Sequence, residues 1–111
     1  MKRKAAIISI KGSSLTQAER SLLKKEKPWG IILFKRNILS FNQTKKLTKS
    51  IRICMKDNNY PILIDEEGGK VSRLSNLFSS KEFSQSFFGN LYEKNKKKWK
   101  TNLQVLLRYY L

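Results

Sequence analysis

With 111 residues the chain has room for one domain of ordinary size and a core of its own, which excludes a large multidomain assembly. Apolar residues at 40% and charged residues at 29% exclude wholesale disorder, and a single cysteine, Cys54, excludes an intramolecular disulfide or a cluster of thiolate ligands. Lysine and arginine number 24 against 8 acids, a formal charge of +16 that attracts polyanions at low salt but equally fits lysine-rich solvated faces; the solvated reading is preferred, because charge runs are more often surface than footprint.

The basic start, Met1 to Lys4, leads into the apolar run Ala5 to Ile10, which is too short for a signal-peptide core and is followed by Lys11 rather than a small-residue cleavage site. No stretch approaches the ~20 apolar residues of a membrane span. A reducing, cytoplasmic setting without membrane contact is therefore expected, with no metal and no cofactor. The run Ala5 to Ile10, rich in β-branched residues and closed by Lys11-Gly12, reads as a buried strand. Thr16 with Glu19 has the form of a capping box, so a helix is predicted from about Gln17 to Lys25, with Leu15, Leu22 and Leu23 on its apolar side and Pro28 ending it.

Trp29 to Phe34 is a second apolar run without alternation, so both of its faces should be covered. Ser40 with Gln43 repeats the capping pattern, and Leu47, Ile51 and Cys54 or Met55 mark the buried stripe of a second helix over Phe41 to Lys56. Pro61 to Ile64 is a third run, closed by Asp65-Glu66-Glu67-Gly68-Gly69, which reads as strand and tight loop. Strand, helix, strand, helix, strand at this spacing argues for parallel pairing with right-handed crossovers, in an open doubly wound sheet or a closed barrel. From Ser79 to Leu111 mainly helix is expected, interrupted near Gly89 and strongly basic from Tyr92 to Lys100.

Ligand sites of parallel α/β folds form at the carboxyl ends of strands, where loops vary while the strands hold position. Two polar clusters fall there: Lys35-Arg36-Asn37 after the second run and Asp65 to Gly69 after the third, with Lys70 and Arg73 downstream. The carboxylates can accept from sugar hydroxyls or hold a cation; a charged strand end is also ordinary solvated loop, and residue chemistry leaves the two open.

The order Gly12-x-x-Leu15-Thr16-x-x-Glu19, then Trp29-Gly30-Ile31-Ile32-Leu33-Phe34-x-Arg36-Asn37-Ile38, then Ile64-Asp65-x-Glu67-Gly68-Gly69-x-Val71-x-Arg73-Leu74, resembles the opening of bacterial family 3 glycoside hydrolases of the β-N-acetylhexosaminidase type. The likeness spans residues 5 to 78, about two thirds of the chain. It implies a (β/α)8 barrel of the TIM type that removes terminal β-linked N-acetylhexosamine from cell-wall (peptidoglycan) fragments with retention, through a carboxylate nucleophile and, in this branch, a histidine on a mobile loop. Carried over by position, Asp65 and Arg73 are the substrate-binding residues, while Arg36, Asn37, Glu67, Gly68 and Gly69 are supporting loop residues. Glu66 stands where the family usually has glutamine and Lys70 where it usually has arginine.

The chain contains no histidine and nothing like the family's Lys-His-Phe-Pro-Gly-His-Gly block, so no catalytic residue is assigned in it. A full eight-stranded barrel needs ~250 residues. The expectation is an incomplete barrel: residues 1–78 as the N-terminal part of the barrel domain, with about three parallel strands and intervening helices, and residues 79–111 as a basic helical tail without assignment. Such a fragment is expected to be inactive alone, to bind an aminosugar-containing saccharide, and to need a second chain that completes the barrel. The rival reading is a basic module in which Lys94 to Lys100, with Phe88, Tyr92 and Trp99, holds nucleic acid or an anionic surface; aromatics at helical spacing more often pack on a core, so it stands behind. A remnant without function is the third reading.

Overall fold

The computed structural model describes residues 2–78 and 84–94. The first apolar run forms strand β1 (Lys4–Ile8), shorter than the sequence predicts and exposed from Lys4 to Ile7 rather than buried, because it is an edge of the sheet among the described residues; Ile10 beyond its end is buried. Helix α1 (Gln17–Glu26) begins on the predicted capping box: the Thr16 hydroxyl accepts from the Glu19 N–H, and the Glu19 carboxylate accepts from the Thr16 N–H at 2.8 Å. Strand β2 (Pro28–Leu33) follows after a single residue, Lys27, whose left-handed φ of 48° ends the helix while its N–H returns to Leu23 O. A 3-10 turn (Lys35–Asn37) leads into helix α2 (Phe41–Met55), which ends on a second left-handed residue, Lys56. Strand β3 (Ile62–Ile64) completes the first half of the chain.

Both crossings join parallel neighbours, in the sheet order β1-β2-β3. The register places Ile8 beside Ile31 and Leu33 beside Ile64, so the chain leaves β2 and β3 side by side at their carboxyl ends. The core is one cluster in which Ile31 and Leu33 of β2 meet Leu23 of α1 and the stripe Leu47, Ile51, Cys54 and Met55 of α2. At the amino ends of the strands Tyr60, 1% exposed, donates its hydroxyl to Pro28 O at 2.9 Å, under the Arg3 guanidinium, which in turn pairs with Asp57.

Four expectations are corrected. Leu22 is 49% exposed rather than part of the apolar side of α1, which enters the core through Leu23 alone, with Leu15 buried just ahead of the helix. Strand β2 is covered less completely than its apolar run predicts: Trp29, at its start, is 45% exposed although Ile31 and Leu33 on the same face are buried, and Ile32 on the opposite face is only half-buried. The reciprocal half of the Ser40 capping box is displaced by one residue, because Gln43 Oε1 takes the Leu39 N–H, not that of Ser40, while Ser40 Oγ accepts from Gln43 N as predicted. Gly89 does not interrupt α3 (Gln85–Lys94), for an isolated helical glycine costs only about 1 kcal/mol relative to alanine.

The described residues divide into two compact units, 2–66 with 73–78, and 67–72 with 84–94. Within the second, Gly68 and Val71 form an isolated bridge across a turn at Gly69, where Val71 N donates to Gly68 O at 3.3 Å. Both glycines have positive φ, and a Cβ on Gly69 would lie 2.9 Å from Ser84 Cβ, so the turn requires glycine there for conformation and for space. Helix α3 has no buried residue and carries Phe87 and Phe88 edge to face. The expected basic stretch beyond Lys94 and the segment 103–111 lie outside the described residues.

Candidate functional site

The carboxyl ends of β1 and β2 are tied together by side chains of the Lys35–Asn37 turn. Asn37 is fully buried and uses its whole carboxamide: Oδ1 accepts from Phe34 N at 2.8 Å, and Nδ2 donates to Ile10 O at 3.1 Å and Gly12 O at 2.7 Å. Arg36 reaches the same segment from the surface, donating through Nε to Lys11 O and through Nη2 to Ile10 O and Ser9 Oγ. The two residues thus fasten the exit of β1 to the exit of β2. Gln43, which the sequence reading treated only as a cap, extends the clamp by donating to Ser13 O at 2.6 Å and Asn37 O at 3.0 Å.

At the exit of β3, Asp65 is exposed and follows directly on Ile64, the register partner of Leu33. Asp65 and Phe34 therefore occupy the next positions on adjacent parallel strands. The loop then returns to the first unit at Arg73, and Glu66 closes it: its Oε2 accepts from Arg73 N at 2.8 Å and Leu74 N at 3.0 Å. A carboxylate accepting two adjacent N–H groups is a charge-assisted clamp, and the amide oxygen of a glutamine has the same acceptor geometry. Nothing in the sequence singled out Glu66 for this role except its difference from the family pattern.

The Arg73 guanidinium lies 5.8 Å from the centre of the Phe34 ring, which also has the Arg36 guanidinium at 4.8 Å. Among the described residues Arg73 Nε, like Arg52 Nε in α2, is buried without a hydrogen-bond partner, a costly state for a group carrying part of a positive charge. Asp65, Arg73, Arg36 and Asn37 all belong to the first unit, whereas Glu67, Gly68 and Gly69 belong to the second and are described by the turn above. Among the described residues no group of three or more His, Cys, Asp or Glu is placed to hold a metal ion, and no helix is long and apolar enough to cross a membrane.

The fold and these residues define a class first: a parallel α/β layer that gathers a buried asparagine and several charged side chains at the carboxyl ends of its strands. No family model matches the chain. It is, however, 32% identical over 89 residues to a β-hexosaminidase of Thioalkalivibrio sulfidiphilus, a match over 80% of the chain and 25% of that protein. Its structure resembles NagZ of Neisseria gonorrhoeae, solved with N-trifluoroacetyl-D-glucosamine, at a TM-score of 0.67 and 29% identity over 83% of this chain and 27% of the other. It also resembles a glycoside hydrolase family 3 β-N-acetylglucosaminidase of a Paenibacillus species, at a TM-score of 0.57 and 30% identity over 63% of this chain and 14% of the other. The chain is homologous to a part of the family 3 glycoside hydrolases, and the curated relatives it matches are β-hexosaminidases. It spans about a quarter of the length of the curated relatives it matches.

Proposed function

We propose that the chain forms part of the sugar-binding rim of a (β/α)8 barrel glycosidase that hydrolyses terminal β-linked N-acetylhexosamine in cytoplasmic peptidoglycan-derived saccharides, with retention. The observation that carries this reading is the Arg73 guanidinium, held against Phe34 at the strand exits with its Nε buried and without a partner among the described residues. A guanidinium donates to sugar hydroxyl oxygens and a carboxylate accepts from sugar hydroxyls, so Arg73 and Asp65 are complementary to a saccharide that offers both. Glu66 supports Arg73 by fixing its backbone, and Arg36 and Asn37 support the rim by joining β1 to β2. Glu67, Gly68 and Gly69 lie in the segment joining Asp65 to Arg73 and allow its sharp turn.

Bond cleavage needs a nucleophile and a proton donor, and none is assigned among these residues. A second chain completing the barrel would supply both, making the substrate pocket a joint product. The test is a chimera in which residues 5–78 replace the matching segment of the Thioalkalivibrio enzyme, assayed on a chromogenic β-N-acetylglucosaminide. Activity should be retained, and Asp65→Ala or Arg73→Ala should lower kcat/KM by about 100-fold, the scale of a charged hydrogen bond lost at a desolvated site. Unchanged turnover in both variants would remove them from the site, and a folded but inactive chimera would count against the enzyme reading.

A further inference from the structure

A cleft lies away from Asp65 and Arg73, between the β1–α1 connection and the first half of α2. The cleft has a volume of about 490 Å³ and a floor of Leu15 and Leu47. Two cations face it, Arg20 from α1 and Lys46 from α2, and no carboxylate is among the residues that line it. Neither cation takes part in an ion pair among the described residues; Arg20 Nη2 is held at the cleft only by the neutral Ser50 hydroxyl, at 3.2 Å. Hydroxyls of Ser14 and Ser40 and the amide of Asn42 complete a wall of neutral donors.

We infer that this cleft binds a phosphate group carried on a small polar molecule. Two unneutralised cations, hydroxyl donors and a total absence of acids select an oxyanion over a cation or an apolar ligand. The volume exceeds what a bare phosphate fills and lies in the range of small-molecule sites. The walls are already set: Gln43 joins Ser13 of the loop to the start of α2, so binding orders little chain.

A second cleft makes an internal control. It is lined by Lys24, Lys27 and Lys56, together with Cys54 and Met55, so it is no less cationic, but it sits where α1 and α2 end and present carbonyl oxygens. If bulk charge alone drew phosphate to this chain, both clefts would contribute alike.

The experiment is calorimetric titration of the 111-residue chain with inorganic phosphate and, separately, glucose 6-phosphate at 0.15 M salt. Saturable 1:1 binding with Kd below about 1 mM is expected, a modest affinity suited to one phosphate. Arg20→Gln and Lys46→Gln should each weaken it by about tenfold, and Lys24→Gln with Lys27→Asn should leave it unchanged. Asn42→Asp guards against a folding artefact, since a carboxylate in the first turn of α2 favours the helix while repelling the ligand. Tighter binding of the sugar phosphate than of inorganic phosphate is expected for a phosphomonoester ligand, and equal binding would overturn the carried phosphate in favour of the free ion. Absent saturation, or equal weakening by both pairs of variants, overturns the proposal.

Discussion

Asn37 shows how one side chain fixes the geometry of a strand exit. Its amide has two N–H groups and both are used on β1-side carbonyls, while its oxygen satisfies Phe34 N. Asn37→Ala should cost about 2–4 kcal/mol, because Phe34 N and Gly12 O lose their side-chain partner at once while Ile10 O keeps only Arg36, and Asn37→Asp should also destabilise, since a carboxylate cannot donate to Ile10 O and Gly12 O. Urea unfolding of the two variants measures this, and an unchanged midpoint in both would show that water replaces the amide freely. The family resemblance marked Arg36 and Asn37 as a strand-end pair, but their partners were not legible, because Ile10 and Gly12 lie more than twenty residues earlier in the chain. Arg73 was legible in the same way; Phe34 beneath it and Glu66 behind it were not.

Local signals located each helix and strand through Met55 to within a few residues, since capping and apolar periodicity act over three or four positions. Helix ends were harder, for Lys27 and Lys56 adopt left-handed φ without being glycine, and composition gives no sign of that. The elements are also joined by carboxylates. Burial raises the Glu19 carboxyl, but the N–H groups of Lys11 and Thr16 and the Thr16 hydroxyl outweigh it and hold it below the usual range. Lys4 lowers Glu26, and the Asn59 N–H followed by Arg3 lowers Asp57. Each folded pKa lies below its unfolded value, so the stabilisation is present above the ordinary carboxylate range and is lost as pH falls through the folded values. Helix content followed by circular dichroism should therefore decline from about pH 4 downward. Glu19→Gln should make that decline shallower; an identical acid profile would place the sensitivity elsewhere.

For the whole molecule the decisive feature is the sheet. Both outer strands, β1 and β3, lack a further strand partner among the described residues, and Ile7 and Trp29 are about half exposed, at 49% and 45%. Open parallel edges beside exposed apolar side chains recruit other chains. Sedimentation of the isolated protein should show association rising with concentration, and Ile7→Lys should reduce it by adding charge beside the β1 edge. A sharp, reversible thermal transition from a dilute monomer would contradict this expectation. The same edges are where further strands of a barrel would join.

Element type and order were set by the sequence itself, because β-branched runs, capping residues and helical stripes act through near neighbours that any window of a dozen residues contains. Register and the clamp at the strand exits were decided only by the folded chain. Asn37 meets Ile10 and Arg20 faces the same cleft as Lys46 because parallel crossovers bring distant segments together, and Glu66 meets Arg73 because the loop between them turns back on itself; none of these contacts is written in the apolar and capping patterns.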